Sequence, residues 1–146
     1  MKNKILLILI IFVCILLVAC YCVYSYRNSI AESQKINREY EQYQDIQMLG
    51  SELISLINKT VDVDTDLGIE KDQDGLFIDN GENSIKIYIN FIYEDDYQTV
   101  EMEKIYNSGA ENFMKVYSTA SFKCTEFTRH EKTNNVKSLT FTETND

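Results

Sequence analysis

The sequence predicts an α+β protein, in which an N-terminal transmembrane helix continues into a long stalk helix. An antiparallel sheet of about four or five strands with one inserted helix is expected to follow. Three observations carry this prediction. Residues 5–26 form an almost uninterrupted apolar run. Residues 28–60 repeat apolar side chains every three or four positions, and residues 76–142 contain short segments in which apolar and polar residues alternate.

The apolar run Ile5–Tyr26 has the length and composition of a single-pass membrane anchor. It contains no Asp, Glu, Lys, Arg, Asn or Gln. As a helix it would span roughly 33 Å, enough for the hydrocarbon core of a bilayer. Lys2 and Lys4 precede the run, and tyrosines cluster at its far end. This distribution predicts that residues 1–26 anchor the chain in the cell membrane, with the N-terminus inside and the C-terminal domain extracytoplasmic.

Cys20 gives this segment a second interpretation. Leu17-Val18-Ala19-Cys20 matches the lipobox of bacterial lipoproteins, and a basic and then an apolar segment precede it. Cys20 would then be lipidated and become the first residue of the mature chain. A signal peptide cleaved at a small residue is a third interpretation, but no convincing site follows the apolar core. We favour the uncleaved anchor, because apolar residues continue past Cys20 as far as Tyr26.

A single apolar stripe runs along the predicted stalk helix, which we place at residues 27–60. Its spacing matches the helical period of about 3.6 residues. The stripe members that we take as a candidate protein–protein interface are Ile36, Tyr40, Tyr43, Ile46, Leu49 and Leu53. Gly50 lies beside them, so we expect a kink or short break there. The stripe either packs on the sheet of the same chain or contacts a neighbouring subunit, and the sequence leaves both arrangements open.

The predicted extracytoplasmic domain, residues 61–146, begins with an acidic connection over residues 61–75. Asp79-Asn80-Gly81-Glu82 predicts a β-hairpin, because Asn-Gly accepts the positive φ angles of a type I′ turn. Leu76–Ile78 would pair with the next strand across this turn. That strand is the clearest in the chain and covers residues 85–91, where isoleucines alternate with polar side chains.

The second half of the domain mixes strands with one helix. We expect a turn at residues 94–96, a strand at 99–103, a helix at 108–117 and strands at 122–130 and 136–142. In the strand at 122–130 the apolar residues fall out of phase with one another. This irregularity predicts a β-bulge or burial on both faces.

The charge and cysteine content exclude some classes of function and fold. After Tyr26 the chain carries 12 basic and 23 acidic residues, a formal charge of −11. Such a domain repels phosphate backbones, so we expect no nucleic-acid partner. Cys14, Cys20 and Cys22 lie in the apolar run, and Cys124 is the one cysteine of the polar domain. That domain therefore cannot form an internal disulfide and must depend on its own core.

The acidic connection invites a calcium-loop interpretation. An EF-hand loop needs Gly at its sixth position and Glu at its twelfth. Counting from Asp62, those positions hold Leu67 and Gln73, and counting from Glu70, the twelfth position holds Gly81. We therefore interpret the acidic connection as a solvated loop and expect no metal site or cofactor.

The sequence contains no recognisable catalytic motif. His130 is the one histidine, which excludes zinc sites built from several histidines. If Cys124 and His130 share a strand, they lie roughly 20 Å apart, beyond the reach of a nucleophile–base pair. Neither a Gly-x-Ser-x-Gly turn nor a phosphate-binding Gly-rich loop is present. We expect no catalytic residues and predict that the protein is not an enzyme.

An N-terminal apolar helix that runs into an amphipathic stalk and then a sheet resembles the architecture of type IV pilins and pseudopilins. The segment from Gly50 to Ile87 also looks like that of small single-pass membrane proteins of low-GC Gram-positive bacteria. These resemblances imply a non-catalytic, membrane-anchored extracytoplasmic protein that contacts other membrane or surface proteins. A minor pilin-like subunit is one form of this prediction. The alternative is a lipoprotein-type module that binds a ligand or cation.

Overall fold

The computed structural model describes residues 2–93 and 96–144, and it confirms the α+β class. The chain divides into two compact units, Met1–Ile36 and Asn37–Asp146. The described residues of the first unit are helical, whereas the second unit contains a five-stranded sheet and further helices. Glu94 and Asp95, where we predict a turn, lie outside the described residues.

Helix α1 extends over Lys2–Glu41 and contains the whole apolar run. The side chains from Ile5 to Tyr26 are exposed. Leaving a large apolar side chain in water instead of burying it costs about 1.5–3 kcal/mol, whereas a bilayer would cover it. Among the described residues this is the one helix that is long and apolar enough to cross a membrane, and its 18-residue apolar window has a mean hydropathy of 3.4. A membrane anchor and a signal sequence both have these properties.

The stalk helix ends earlier than the apolar stripe predicts. The chain turns over residues 42–46, with Asp45 in the left-handed region at φ 60°. The short strand β1, Gln47–Leu49, follows, and helix α2 covers Gly50–Asp66. The expected break near Gly50 is confirmed, but a helix that continues to residue 60 is wrong. The stripe residues on the two sides of the turn therefore do not share one helical face.

Gly50 is needed because two segments approach each other closely at the start of α2. Its N–H donates to the carbonyl of Ala120 at 2.9 Å, and the N–H of Ser51 donates to that of Ser118 at 3.2 Å. A Cβ atom at Gly50 would lie 1.9 Å from the carbonyl oxygen of Tyr117. Any side chain at position 50 would push the start of α2 away from Tyr117 and the residues that follow it.

Five strands form one mixed sheet in the order β1-β4-β5-β2-β3. The strands after β1 are β2 (Lys86–Tyr93), β3 (Asp96–Glu101), β4 (Ser121–Arg129) and β5 (Val136–Thr144). β2 and β5 pair in parallel, and the other neighbours are antiparallel. The prediction of a wholly antiparallel sheet is therefore wrong at one pairing, because β5 rather than β4 lies beside β2.

Two short helices replace the single inserted helix that the sequence predicts at residues 108–117. They are α3, Met102–Ser108, and α4, Ala110–Tyr117. Gly109 separates them at φ 90°, a conformation that favours glycine. Because α3 begins at Met102, β3 ends at Glu101 and the strand predicted at residues 99–103 is shorter at its C-terminal end.

The predicted hairpin at residues 79–82 is wrong. Gly81 has φ 72°, but Asn80 does not have the positive φ that a type I′ turn requires. The side-chain oxygen of Asn80 instead accepts hydrogen bonds from the backbone N–H groups of residues 82–84. These bonds fold the loop on itself, and residues 76–78 form no strand beside β2.

The core of the second unit lies between the sheet and helices α2, α3 and α4. Ile87 and Ile89, predicted to point inward, are fully buried. Other buried apolar residues include Leu53, Ile57, Ile85, Met102, Phe122, Val136, Leu139 and Phe141. The pairing of β4 with β5 contains two register shifts, which confirms the irregularity predicted for this strand.

Candidate functional site

The candidate interface residues are divided between the core and the surface. Ile36 ends the first unit. Tyr40 and Leu53 are fully buried, and Tyr43 is half-buried with its ring edge against Tyr40 at 6.4 Å between centroids. Two others remain open, since Ile46 is 42 % exposed and Leu49 is 47 % exposed. Part of the predicted interface is therefore core, and part is a free apolar surface.

Of the two exposed residues, Ile46 lines a groove of about 560 Å³ that we call the α2 groove, whereas Leu49 is not among its lining residues. It lies between the turn after α1, strand β1 and the first three turns of α2. Its lining residues are Gln42, Tyr43, Ile46, Gln47, Met48, Ser51, Glu52, Ser55, Leu56 and Lys59. Apolar side chains and polar side chains thus share the groove, as they do in many ligand and protein contact sites.

The polar groups of the α2 groove are held by local contacts. The Glu52 carboxylate accepts a hydrogen bond from the Leu49 N–H at 3.0 Å, which satisfies an N–H at the start of α2. The Lys59 ammonium pairs with the Glu39 carboxylate. The Gln47 amide donates to the Ser121 hydroxyl at 2.7 Å. These contacts fix the rim, so an apolar side chain could enter beside Tyr43 without stranding a buried charge.

A second group of polar residues lies inside the domain. Glu103 accepts hydrogen bonds through Oε1 from the Phe77 N–H at 2.9 Å and from the Lys86 ammonium at 2.5 Å. Asp64 accepts one through Oδ1 from the Ile85 N–H at 3.0 Å. Asp64 and Glu103 are both buried, and within the described part of the chain Asp64 Oδ2 and Glu103 Oε2 have no hydrogen-bond partner.

The environment of Asp64 favours its protonated form. Burial raises the pKa of Asp64 to about 7, and the negative charge of Glu103 acts in the same direction. The Ile85 N–H and the Lys86 ammonium oppose this rise. Tyr40 interacts electrostatically with Asp64, and burial raises the pKa of Tyr40 above its ordinary value. The Tyr40 hydroxyl is paired with that of Thr60 at 2.9 Å.

Asp64 is a residue that the sequence prediction missed. We expected residues 61–75 to form an exposed connection, but α2 continues to Asp66 and only the following residues form a loop. A signal was present, because Leu53, Ile57, Thr60 and Asp64 follow one another at helical spacing. The hydrophobic pattern alone could not reveal it, since an aspartate at such a position normally marks the end of the buried face.

His130 belongs to a third group, beside the loop that precedes β2. Its Nε2 lies 2.8 Å from the carbonyl oxygen of Ser84, so Nε2 carries a proton and donates. Its Nδ1 lies 3.7 Å from Asp79 Oδ1. The Lys137 ammonium, 2.8 Å from the Asp79 carboxylate, lowers the pKa of Asp79 to about 2. His130 therefore bonds to a backbone carbonyl and faces a carboxylate.

The other sequence candidates have local partners. Burial raises the pKa of the Cys124 thiol, which contacts the Glu126 carbonyl at 3.6 Å. Asp72 Oδ1 accepts from the N–H groups of Asp74 and Leu76, which closes a turn. Within residues 2–93 and 96–144, no three His, Cys, Asp or Glu side chains are grouped so that they could hold a metal ion. Cys20 lies in the exposed part of α1.

Comparison with protein-family models, with curated proteins and with solved structures gives no match to this chain.

Proposed function

We propose that this chain is a non-catalytic, membrane-anchored protein whose second unit faces the extracytoplasmic side and binds another protein through the α2 groove. The observation that carries the proposal is the exposure of Ile46 in this groove, close along the chain to the exposed Leu49 of β1. Neighbouring stripe residues are buried, so the sequence keeps apolar side chains here without needing them for the core. Exposed apolar side chains beside a lined groove are typical of contact surfaces.

Charge favours a different protein over a second copy of this chain as the occupant. The residues after Tyr26 carry a formal charge of −11, so two such domains repel each other. A partner with net positive charge would be attracted instead. We therefore assign the α2 groove to an apolar side chain of a basic partner protein, which would insert between Tyr43 and Ile46. A pilin-like assembly is the form of this proposal that the architecture suggests.

The basic residues before the apolar run support the proposed side of the membrane. Lys2 and Lys4 precede the run, and such residues favour retention of that end in the cytoplasm. Arg27, Lys35 and Arg38 follow the run and partly offset this bias. With the N-terminus inside, the domain would be exported, where a basic membrane or surface protein could reach the α2 groove.

Site-specific photocrosslinking in the native membrane tests the contact. A photoreactive residue at Ile46 is expected to give one discrete adduct with a basic protein. The matched control is Val116, an apolar side chain on α4 that is 69 % exposed and lies outside the groove. The purified adduct partner should bind the full-length chain in detergent, and Ile46→Asp should weaken binding at least tenfold while Val116→Asp should not.

Three outcomes would contradict the groove assignment. The first is an equally strong adduct from position 116. The second is an adduct that contains only a second copy of this chain. The third is an identified partner whose affinity does not respond to Ile46→Asp.

The form of the anchor is a separate question that intact-mass analysis answers. An uncleaved anchor predicts a mature chain of full length, with all of residues 5–26 retained. The lipoprotein alternative predicts a diacylated chain that begins at Cys20, and Cys20→Ser would then abolish processing. In that case the second unit would be displayed by a lipid, and a ligand- or cation-binding module becomes the favoured function.

A further inference from the structure

The loop from Phe77 to Ile85 is held at both ends by buried carboxylates. The Phe77 N–H donates to Glu103 of α3, and the Ile85 N–H donates to Asp64 of α2. Near its C-terminal end, the Ser84 carbonyl accepts a hydrogen bond from His130, which is also buried. Three buried titratable side chains, from α2, from α3 and from the turn after β4, therefore hold one nine-residue segment. We call this segment the latch loop.

The two carboxylates that hold the latch loop, Asp64 and Glu103, share one nearby cation, Lys86. Lys86 pairs with Glu103, and its side chain is 12 % exposed. With Asp64 protonated, the cluster of Asp64, Glu103 and Lys86 is neutral. With Asp64 ionised, the cluster holds one uncompensated negative charge in the protein interior. Tyr40, which also interacts electrostatically with Asp64, is neutral or negative and cannot compensate it. An uncompensated buried charge is costly unless water reaches it.

His130 holds the other side of the latch loop through its contacts. Its Nε2–H donates to the Ser84 carbonyl, and its Nδ1 lies 3.7 Å from Asp79 Oδ1. The Lys137 ammonium beside the Asp79 carboxylate lowers the pKa of Asp79 to about 2, so Asp79 stays ionised while Asp64 changes. We therefore assign the pH response of the loop to Asp64.

We propose that the latch loop is a proton-operated latch, which is closed on the domain at acid to neutral pH and opens at alkaline pH. Opening would break the hydrogen bonds that the Phe77 and Ile85 N–H groups donate to these carboxylates and would let water reach the oxygens of Asp64 and Glu103 that lack a partner among the described residues. The loop also supplies Gly81 to one wall of a groove of about 460 Å³, otherwise lined by residues 128–132, 137 and 138. The shape of that groove would consequently change with pH. This inference stands independently of the α2 groove.

Hydrogen exchange of the full-length chain in detergent micelles tests the latch. Protection factors, which remove the intrinsic pH dependence of exchange, are compared at about pH 5.5 and about pH 8.5. The Phe77 and Ile85 amides are expected to lose protection at least tenfold at the higher pH, whereas the amides that pair β4 with β5 should keep it. Asp64→Asn should abolish the loss. The matched control is Asp62→Asn, an exposed position on the same helix, which should behave as the wild type.

A second measurement needs no variant. The ¹³C shift of the Asp64 carboxyl should titrate with the same midpoint as the loss of protection at Ile85. Protection that is independent of pH in the wild type would overturn the proposal. So would a loss of protection that persists in folded Asp64→Asn, or an Asp64 carboxyl that titrates near its ordinary pKa of about 4.

Discussion

Replacing Asp64 by asparagine is expected to stabilise the second unit at alkaline pH and to leave its stability unchanged at acid pH. Asparagine resembles the protonated carboxyl in size, and its side-chain oxygen can still accept the Ile85 N–H. It cannot ionise. The variant therefore removes the buried charge while keeping the hydrogen bond that joins α2 to the start of β2.

The expected size of the effect follows from the pKa of Asp64, which burial raises from 3.8 to about 7. Between these values the folded state holds a proton that the unfolded state has lost, so stability decreases as pH rises from about 4 to about 7. Above that range both states are ionised and the loss is complete. A shift of about three units corresponds to about 4 kcal/mol, which is the largest gain that Asp64→Asn could give.

Urea unfolding of the full-length chain in a mild detergent measures this difference. Near-ultraviolet circular dichroism of the tyrosines reports on the packed domain, and curves are recorded at about pH 4 and about pH 8.5. Asp62→Asn, on the exposed face of α2, is the control and should change stability by less than about 0.5 kcal/mol at either pH. If Asp64→Asn destabilised the domain equally at both values, the reasoning from a buried charge would be refuted.

Three further predictions concern the packing of the second unit. Gly50→Ala should lower the free energy of unfolding by about 1–3 kcal/mol in the same assay, since its Cβ would collide with the Tyr117 carbonyl; an unchanged urea midpoint would contradict this. In an ultraviolet titration Tyr40 should stay protonated while exposed tyrosines ionise, because burial raises its pKa; Tyr40→Phe would then remove no absorbance change near pH 10. Glu103→Gln should cost about 3 kcal/mol near pH 7 in urea unfolding, because Lys86 loses its charged partner; a cost below about 1 kcal/mol would show that this pair is not buried as described.

Local pattern was sufficient to predict the elements whose side chains repeat without interruption. Ile87 and Ile89 of β2 alternate with polar side chains and are buried as expected, and the apolar run from Ile5 forms one helix. In β2 a period of two determines which side chains are covered, whereas the length and composition of the run predict its helix. The same signal failed after Tyr40, because the stripe kept helical spacing through a turn and a strand.

The pairing of the strands could not be predicted from alternation. A strand buries the same side chains whether its neighbour runs parallel or antiparallel, so the pattern of β5 carries no sign of its parallel pairing with β2. The pairing depends on where the hairpin of β4 and β5 packs after α4, which is a tertiary choice. Gly50 shows the same limit, since its role depends on Tyr117, a residue far away in sequence.

Of the two candidate sites, one could be predicted from local pattern and the other could not. Ile46 and Leu49 were predicted as interface residues from the stripe, and the structure leaves them exposed because the turn after α1 directs them away from the core. The cluster around Asp64 could not be predicted in this way. Its members come from α2, α3 and β2, and they meet only when the helices have packed on the sheet.

The stability of Asp64→Asn and the exchange of the latch loop constrain each other. Ionised Asp64 can stay buried at the full cost of its charge, or the loop can open and hydrate it at the cost of the lost contacts. The domain adopts whichever of these two states has the lower free energy. The gain in the free energy of unfolding from Asp64→Asn at alkaline pH therefore cannot exceed the free energy of loop opening. A gain well below about 4 kcal/mol, together with lost protection at Ile85, would measure that opening. A gain near the full value with the loop still protected would mean that the charge stays buried, and the latch would be excluded.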